Sequence, residues 1–112
     1  MDGVIENSGL FKVMLVDDDL LMLEDLKKLI DWEKLGFRIC GTAENGKQTL
    51  ELCRRLAPDV VITDIRMPQM DGLELIRNLK TDFPDIQVLL LTAYSDFDYA
   101  KQAISLGVSA YL

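Results

Sequence analysis

Residues 60–72 read Val60-Val61-Ile62-Thr63-Asp64-Ile65-Arg66-Met67-Pro68-Gln69-Met70-Asp71-Gly72. Four residues that favour β-structure run directly into the carboxylate of Asp64. This pattern predicts a short strand buried on both faces of a parallel sheet. Asp64 then ends the strand at the edge where open α/β sheets bind their ligands. Pro68 and the Asp71-Gly72 pair predict a turn into a helix. Taken alone, Asp64 is equally consistent with a turn residue that merely ends the strand.

The composition restricts the class of protein. A chain of 112 residues corresponds to one domain with its own core. Hydrophobic residues make up 49% and charged residues 28%, which is typical of a globular protein. The net charge is −7 and the chain has no His. The charge argues against nucleic-acid binding by this domain through a basic face. The absence of His excludes imidazole-based acid–base catalysis and His metal ligands.

Cysteine usage and hydropathy bear on the cellular compartment. Cys40 and Cys53 give neither a disulfide framework nor a metal-binding spacing, and we expect both to be small apolar residues in the core. The sequence shows no signal peptide and no apolar run of membrane-spanning length. We therefore expect a cytoplasmic domain that does not interact with a membrane. Residues 1–10 have no clear period and are expected to form a flexible leader before a domain at 11–112.

The hydrophobic pattern predicts alternating strands and helices. Strands are predicted at residues 12–16, 37–42, 60–63, 87–91 and 108–112, with helices beginning after Asp19, at Asn45, at Gly72 and at Asp96. The first helix carries an apolar stripe at spacings of three and four, formed by Leu20, Leu23, Leu26, Leu29 and Ile30. Asp19 is a predicted N-cap for that helix, and Trp32 a predicted cover for its far end. In the second strand, Ile39 and Gly41 are predicted to share one face.

The order of these elements predicts an α/β domain with a doubly wound parallel sheet. Right-handed crossovers leave few topologies. We choose the flavodoxin-like five-stranded sheet with strand order 2-1-3-4-5, which places strands 1, 3 and 4 side by side. The chain has no residues for a helix after strand 5, so the last helix of this fold is expected to be missing.

If strands 1 and 3 are neighbours, Asp17, Asp18 and Asp64 converge at one edge of the sheet. Carboxylates at this distance repel one another unless they take up protons or a cation. A set of oxygen ligands without His or Cys suits a hard cation such as Mg²⁺. A carboxylate beside Mg²⁺ can also act as a nucleophile and form an aspartyl phosphate. The alternative is that these acids are separate helix caps. Thr92 also has two interpretations: its hydroxyl donates to a phosphoryl oxygen, or it is the N-cap of the next helix.

Three segments carry a resemblance to a known family: Val16-Asp17-Asp18, residues 63–72 and Leu91-Thr92-Ala93. Over about residues 11 to 112, the chain resembles the receiver domain of two-component response regulators. The resemblance implies that Asp64 accepts a phosphoryl group from a histidine kinase. It also implies that Asp17 and Asp18 bind Mg²⁺ together with Asp64 and the backbone carbonyl of Arg66. Thr92 would be the switch hydroxyl and Tyr111 the switch aromatic, although the pattern alone marks Tyr111 as a core residue.

Residues 30–37 resemble the receivers attached to AraC-type helix-turn-helix domains. The resemblance thus implies a C-terminal, DNA-binding output domain. The chain departs from the family pattern in one respect, because a Lys normally follows the switch aromatic and here the sequence stops at Leu112. We favour a fragment as the explanation. A protein truly ending there is expected to self-associate, for example as a homodimer, and to hold an aspartyl phosphate poorly.

Two residues are expected to set the lifetime of the phosphoryl group. Arg66 lies two residues after Asp64 and Tyr94 two residues after Thr92, so on the inferred fold both flank the phosphoryl position and obstruct water.

Two alternative functions remain open from the sequence. One is a Mg²⁺-dependent phosphohydrolase with Asp17 as nucleophile, which would leave Asp64 unexplained. The other is a pseudo-receiver that only binds a partner.

Overall fold

The computed structural model describes residues 9–64, 72–91 and 110–111, with the backbone alone at 72, 91, 110 and 111. The elements in chain order are β1 (Phe11–Val16), α1 (Leu20–Leu29), β2 (Phe37–Ala43), α2 (Gly46–Leu56), β3 (Val60–Asp64), α3 (Gly72–Asp82), β4 (Gln87–Leu91) and β5 (Ala110–Tyr111). The helix predicted from residue 96 lies outside the described residues. None of the helices described is both long enough and apolar enough to span a membrane.

The five strands form one parallel sheet in the order β2-β1-β3-β4-β5. The predicted flavodoxin-like topology is therefore confirmed. Val16 of β1 is opposite Thr63 of β3, and Asp64 is opposite Leu91 of β4. Because all these strands run in the same direction, their carboxyl ends meet at one edge of the sheet.

β1 is the most completely buried strand, and its side chains alternate between two cores. Val13 and Leu15 pack on the face covered by α1, whereas Met14 and Val16 pack on the face covered by α2 and α3. None of these four residues is more than 3% exposed. This strand therefore anchors both layers of helices to the middle of the sheet.

The face under α2 and α3 carries the larger core. Leu75, Ile76 and Leu79 of α3 are fully buried there, as the helical spacing predicts. α2 contributes Cys53, which is buried as expected for a small apolar residue, and Thr49. The hydroxyl of Thr49 donates to the carbonyl of Asn45 at 2.7 Å, so its polar atom is satisfied within the helix.

The predicted apolar stripe of α1 is only partly correct. Leu23 is buried, but Leu20 is 57% exposed and Leu29 is 82% exposed. The reason is geometric, because each step of three residues falls about 60° short of a full turn. Over the nine residues from Leu20 to Leu29 the stripe therefore rotates by about 180°, and only its middle faces the sheet.

The prediction that Ile39 and Gly41 share a face is wrong. The register between β1 and β2 shifts at this point, since Val13 is opposite Ile39 but Met14 is opposite Gly41. Cys40 is thus the extra residue of a β-bulge, which changes the alternation of side chains. Ile39 packs with the α1 core, whereas a Cβ atom on Gly41 would lie 2.9 Å from the Leu56 side chain of α2.

The two faces of β3 differ in burial, contrary to the prediction of a strand buried on both faces. Val61 and Thr63 are fully buried under α2 and α3, but Val60 and Ile62 are half-buried. Among the described residues, α1 is the only helix on the second face. Trp32 extends this cover, as predicted, and its indole N–H donates to the carbonyl of Leu26 at 2.9 Å.

Hydrogen bonds around Asp59 close the amino edge of the sheet. Asp59 Oδ2 accepts from the amide of Lys12 at 2.7 Å, and the amide of Asp59 donates back to the Lys12 carbonyl at 2.8 Å. The Asp59 carbonyl accepts from Gln87 at 3.0 Å, so one residue joins β1, β3 and β4. Lys12 Nζ also donates to the Leu56 carbonyl at 2.7 Å, at the negative end of α2.

This arrangement predicts the effect of two substitutions at Asp59. Asp59→Ala should lower the free energy of unfolding by about 1 kcal/mol, because the amide of Lys12 loses its acceptor. Asp59→Asn keeps a carbonyl oxygen at the same position and should lose less than half as much. Urea unfolding measures both values. Equal losses in the two variants would show that the charge of Asp59, not its hydrogen bond, stabilises the edge.

Candidate functional site

Three carboxylates meet at the carboxyl edge of the sheet. Asp17 and Asp18 directly follow β1, and Asp64 is the last residue of β3. Because Val16 is paired with Thr63, the residues that follow in each strand leave the sheet at the same level. One carboxylate oxygen from each of the three acids lies within 4.8 Å of the other two. The predicted convergence of Asp17, Asp18 and Asp64 is therefore present in the structure.

Backbone hydrogen bonds hold Asp17 on two sides. Its amide donates to the carbonyl of Ala43 at the end of β2, at 3.1 Å. Its Oδ1 accepts from the amide of Asp19 at 2.9 Å. Asp17 is only 7% exposed, whereas Asp18 is exposed and Asp64 is half-buried. The exposure of the three acids therefore increases from Asp17 to Asp64 to Asp18, and Asp17 forms the floor of the site.

The third acid of the Asp17-Asp18-Asp19 run has a different role. Asp19 Oδ1 accepts from the amides of Leu21 and Met22 at 3.0 and 3.2 Å, which makes Asp19 the N-cap of α1, as predicted. Asp19 is not part of the group of converging carboxylates. The pattern of the sequence identified the cap, but it gave no sign that the amide of the same residue contacts Asp17.

The environment of Asp17 disfavours its charge. Burial raises the pKa of Asp17 from 3.8 to about 6, and the negative charges of Asp64 and Asp18 act in the same direction. The hydrogen bond from the amide of Asp19 opposes these effects and lowers the pKa. The site therefore holds more negative charge than its surroundings stabilise, which is the condition that favours cation binding.

The geometry and the donor chemistry both fit Mg²⁺. Ligand oxygens on opposite sides of one Mg²⁺ lie about 4.2 Å apart, so carboxylate oxygens within 4.8 Å need only small rotations to share the ion. The donors are all carboxylate oxygens, which hard cations prefer. Cys40 and Cys53 are not in the group, and the chain has no His, so the ligands preferred by softer metals are missing from it.

Four other residues predicted for the site are not tested by the structure. Arg66, Thr92 and Tyr94 lie outside the described residues. The backbone of Tyr111 belongs to β5, where it pairs with Leu90, and its side chain is not described. The predicted roles in metal binding, switching and phosphoryl lifetime remain predictions for these residues.

The fold and the site together define a doubly wound α/β domain with a cluster of three carboxylates at the carboxyl edge of its sheet. The family profile of the response regulator receiver domain matches residues 13–112. The chain belongs to this family, and the resemblance noted from its motifs is confirmed.

Relatives and solved structures agree with this assignment. The chain is 40% identical over 103 residues to the uncharacterized transcriptional regulatory protein YesN of Bacillus subtilis, and 38% identical to the transcriptional regulatory protein HptR of Staphylococcus aureus. These matches cover 92% of the chain but only 28% and 40% of the relatives' own lengths. The chain thus corresponds to well under half of these relatives.

Two solved structures show the same architecture. The receiver domain of AraT, a response regulator from Geobacillus stearothermophilus, superposes with a TM-score of 0.85 at 36% identity, over 92% of this chain and 80% of that one. A two-component transcriptional regulator AraC from Clostridium phytofermentans superposes with a TM-score of 0.78 at 31% identity, over 91% of this chain and 77% of that one. This chain is therefore the receiver domain of a response regulator.

The raised pKa of Asp17 predicts a pH-dependent stability in the absence of divalent metal. Because the folded protein holds this proton more tightly than the unfolded chain, the contribution of Asp17 to stability is complete below pH 3.8 and is lost as the pH rises through about 6. The total loss corresponds to at most roughly 3 kcal/mol. Urea unfolding in EDTA between pH 4 and 7 measures it.

Two variants isolate the residue responsible. Asp17→Asn cannot ionise and should flatten the fall in stability over this pH range, which leaves the variant more stable than the parent at neutral pH. Asp85→Asn, which changes an exposed acid at the opposite edge, should leave the fall unchanged. A parent and an Asp17→Asn protein with the same pH dependence would contradict the assignment.

Proposed function

We propose that this domain accepts a phosphoryl group on Asp64 from the phosphohistidine of a histidine kinase. Mg²⁺ is bound by Asp17, Asp18 and Asp64, with the backbone carbonyl of Arg66 as a further ligand. The observation that carries the proposal is the convergence of three carboxylate oxygens within 4.8 Å at the carboxyl edge of a parallel sheet. Family membership supports the direction of transfer, because receiver domains take phosphate from kinases.

The position of each acid supports its role. Asp64 ends the central strand and is half-buried, so it is accessible to a donor, while the strand that carries it is held between β1 and β4. Asp17 is nearly inaccessible and one of its oxygens is occupied by the amide of Asp19, which suits a fixed ligand better than a nucleophile. Asp18 is exposed at the rim and completes the anionic cluster.

The transfer reaction itself is a displacement at phosphorus. A carboxylate oxygen of Asp64 forms the new P–O bond while the P–N bond of the phosphohistidine breaks, and the electron pair of that bond stays on the imidazole nitrogen. Bound Mg²⁺ supplies positive charge that offsets the phosphoryl oxygens. The chain's own residues position the nucleophile, because Asp64 ends β3 and is paired with Leu91 of β4.

We also propose the partners that this role requires. The relatives are named as transcriptional regulators and extend far beyond the matched region, so we infer a DNA-binding output domain of helix-turn-helix type as the target of the signal. With a net charge of −7, the receiver leaves DNA contact to that output domain. The domain, at residues 11–112 after a leader at 1–10, is proposed to act in the cytoplasm.

The remaining site residues are proposed on the family resemblance. Thr92 and Tyr111 would transmit the phosphorylation state as switch residues. Arg66 and Tyr94 would control the rate at which water reaches the aspartyl phosphate.

Metal binding makes a first test of the proposal. A ligand that binds only the folded state at ~100 times its dissociation constant adds about 2.7 kcal/mol to the free energy of unfolding. Mg²⁺ should therefore raise the melting temperature of the parent protein in a saturable manner. Asp17→Ala and Asp18→Ala should weaken the effect, whereas Asp85→Ala at the opposite edge should not. A melting temperature that stays constant across the Mg²⁺ titration would rule out the metal site.

Phosphorylation by acetyl phosphate makes a second test. Intact-mass spectrometry should show one added phosphoryl group on the parent protein in the presence of Mg²⁺ and none in EDTA. Asp64→Asn should abolish the gain, because an amide oxygen is a far weaker nucleophile than a carboxylate, and Asp85→Asn should retain it. If Asp64→Asn still gained mass, or if phosphate release turned over steadily with Asp17 as the modified residue, the phosphoacceptor assignment would be wrong.

A further inference from the structure

Asp19 makes hydrogen bonds to the acidic site and to the first turn of α1 through different atoms. Its backbone amide donates to Asp17 Oδ1 at 2.9 Å, at the floor of the acidic site. Its side chain accepts from the amides of Leu21 and Met22 at 3.0 and 3.2 Å, in the first turn of α1. The Asp19 carbonyl then accepts the first helical hydrogen bond, from Leu23 at 3.1 Å. One residue therefore connects the orientation of a metal ligand to the start of a helix.

The first turn of α1 offers no replacement for this cap. Its residues Leu20, Leu21 and Met22 have apolar side chains without an oxygen acceptor, and no acidic residue occurs there. All three side chains are substantially exposed, at 57%, 76% and 44%, so packing contributes little to holding the turn in place. Loss of the Asp19 carboxylate would thus leave the first amides of the helix without a protein acceptor and free the turn to fray.

Fraying of this turn would move the backbone of Asp19. The amide that contacts Asp17 belongs to the residue whose φ and ψ angles, −90° and 104°, are fixed by the capping geometry. Since a hydrogen bond weakens steeply with distance and angle, a displaced amide no longer restrains rotation of the Asp17 carboxylate. Of the two backbone hydrogen bonds at Asp17, the one from its own amide to Ala43 fixes the backbone but not the carboxylate. The carboxylate also shares a side-chain hydrogen bond with Asp18, which is itself exposed, so the amide of Asp19 is the backbone group that orients it.

We propose that Asp19 is a positioning residue of the acidic site: its capped conformation aims the amide that orients the carboxylate of Asp17 toward Asp18 and Asp64. The inference rests on the proposed function, since it concerns the same Mg²⁺ site. It assigns to the third acid of the run a role in metal affinity that depends on its ability to accept hydrogen bonds, and neither on direct coordination nor on its negative charge.

Isothermal titration calorimetry with MgCl₂ tests this inference on the parent protein and three variants. Asp19→Ala removes the acceptor and should raise the dissociation constant for Mg²⁺ about tenfold, as loss of a residue that orients a metal ligand commonly does. Asp19→Asn removes the charge but keeps the acceptor, and because charges outside the coordination shell are screened by salt, it should stay within about threefold of the parent.

The third variant controls for helix stability. Asn45 is the N-cap of α2, and its side chain accepts from the amide of Gln48 at 2.8 Å. Asn45→Ala should lower the melting temperature by an amount similar to that for Asp19→Ala, because the two caps satisfy the same kind of amide. It should leave the Mg²⁺ dissociation constant unchanged, since the hydrogen bonds of Asn45 in the described part of the chain all go to the first turn of α2.

The outcomes separate this inference from the proposed function. If the parent binds Mg²⁺ and Asp17→Ala does not, while Asp19→Ala binds as tightly as the parent, the positioning role is overturned and the metal site stands. If Asp19→Asn binds Mg²⁺ as weakly as Asp19→Ala does, the charge of Asp19 or its direct coordination of the ion replaces positioning as the explanation. If Asn45→Ala weakens binding as much as Asp19→Ala, the effect is one of general stability. If the parent itself does not bind Mg²⁺, both the inference and the proposed function are wrong.

Discussion

The parallel pairing of β1 with β3 is the interaction on which the rest of this domain depends. It is fixed by Val13, Met14, Leu15 and Val16, all of which are buried between two layers of helices. Because side chains alternate along a strand, a slip of one residue would exchange the two cores and expose apolar surface on both faces. The same register that satisfies the core also brings the acids after β1 beside Asp64. Packing in the interior therefore sets the geometry of the site at the edge.

The two edges of the sheet use carboxylates for opposite purposes. At the amino edge, the carboxylate of Asp59 accepts a hydrogen bond from the amide of Lys12, and the residue joins three strands. At the carboxyl edge, Asp17 has acids as neighbours, and its raised pKa shows that the folded state does not fully compensate its charge. A site that binds a cation must keep such uncompensated charge, so the stability supplied by the core and by Asp59 offsets a local cost at the functional edge.

The run Asp17-Asp18-Asp19 shows how environment separates residues of one type. Asp17 is buried and hydrogen-bonded, Asp18 is exposed beside it, and Asp19 caps a helix. Only the first two join Asp64 in the cluster. Their different roles arise because the chain leaves a strand and enters a helix within these three residues, so that the first two carboxylates face Asp64 and the third faces the first turn of α1.

The sequence alone determined the order of elements, the position of Asp64 at a strand end and the cap at Asp19, because each of these follows from patterns within one short segment. The motifs around Asp17 and Asp64 also identified the family, while strand adjacency came from general rules of parallel sheets. Tertiary structure alone decided which part of the α1 stripe is buried: helical drift turns Leu20 and Leu29 to different sides, and packing against the sheet selects Leu23 between them. It also decided the face of Gly41, because the bulge at Cys40 arises from pairing with β1. Tertiary structure likewise decided the pKa of Asp17 and its contact with the amide of Asp19. Burial and electrostatic fields depend on which segments pack together, and no local pattern in the chain contains that information.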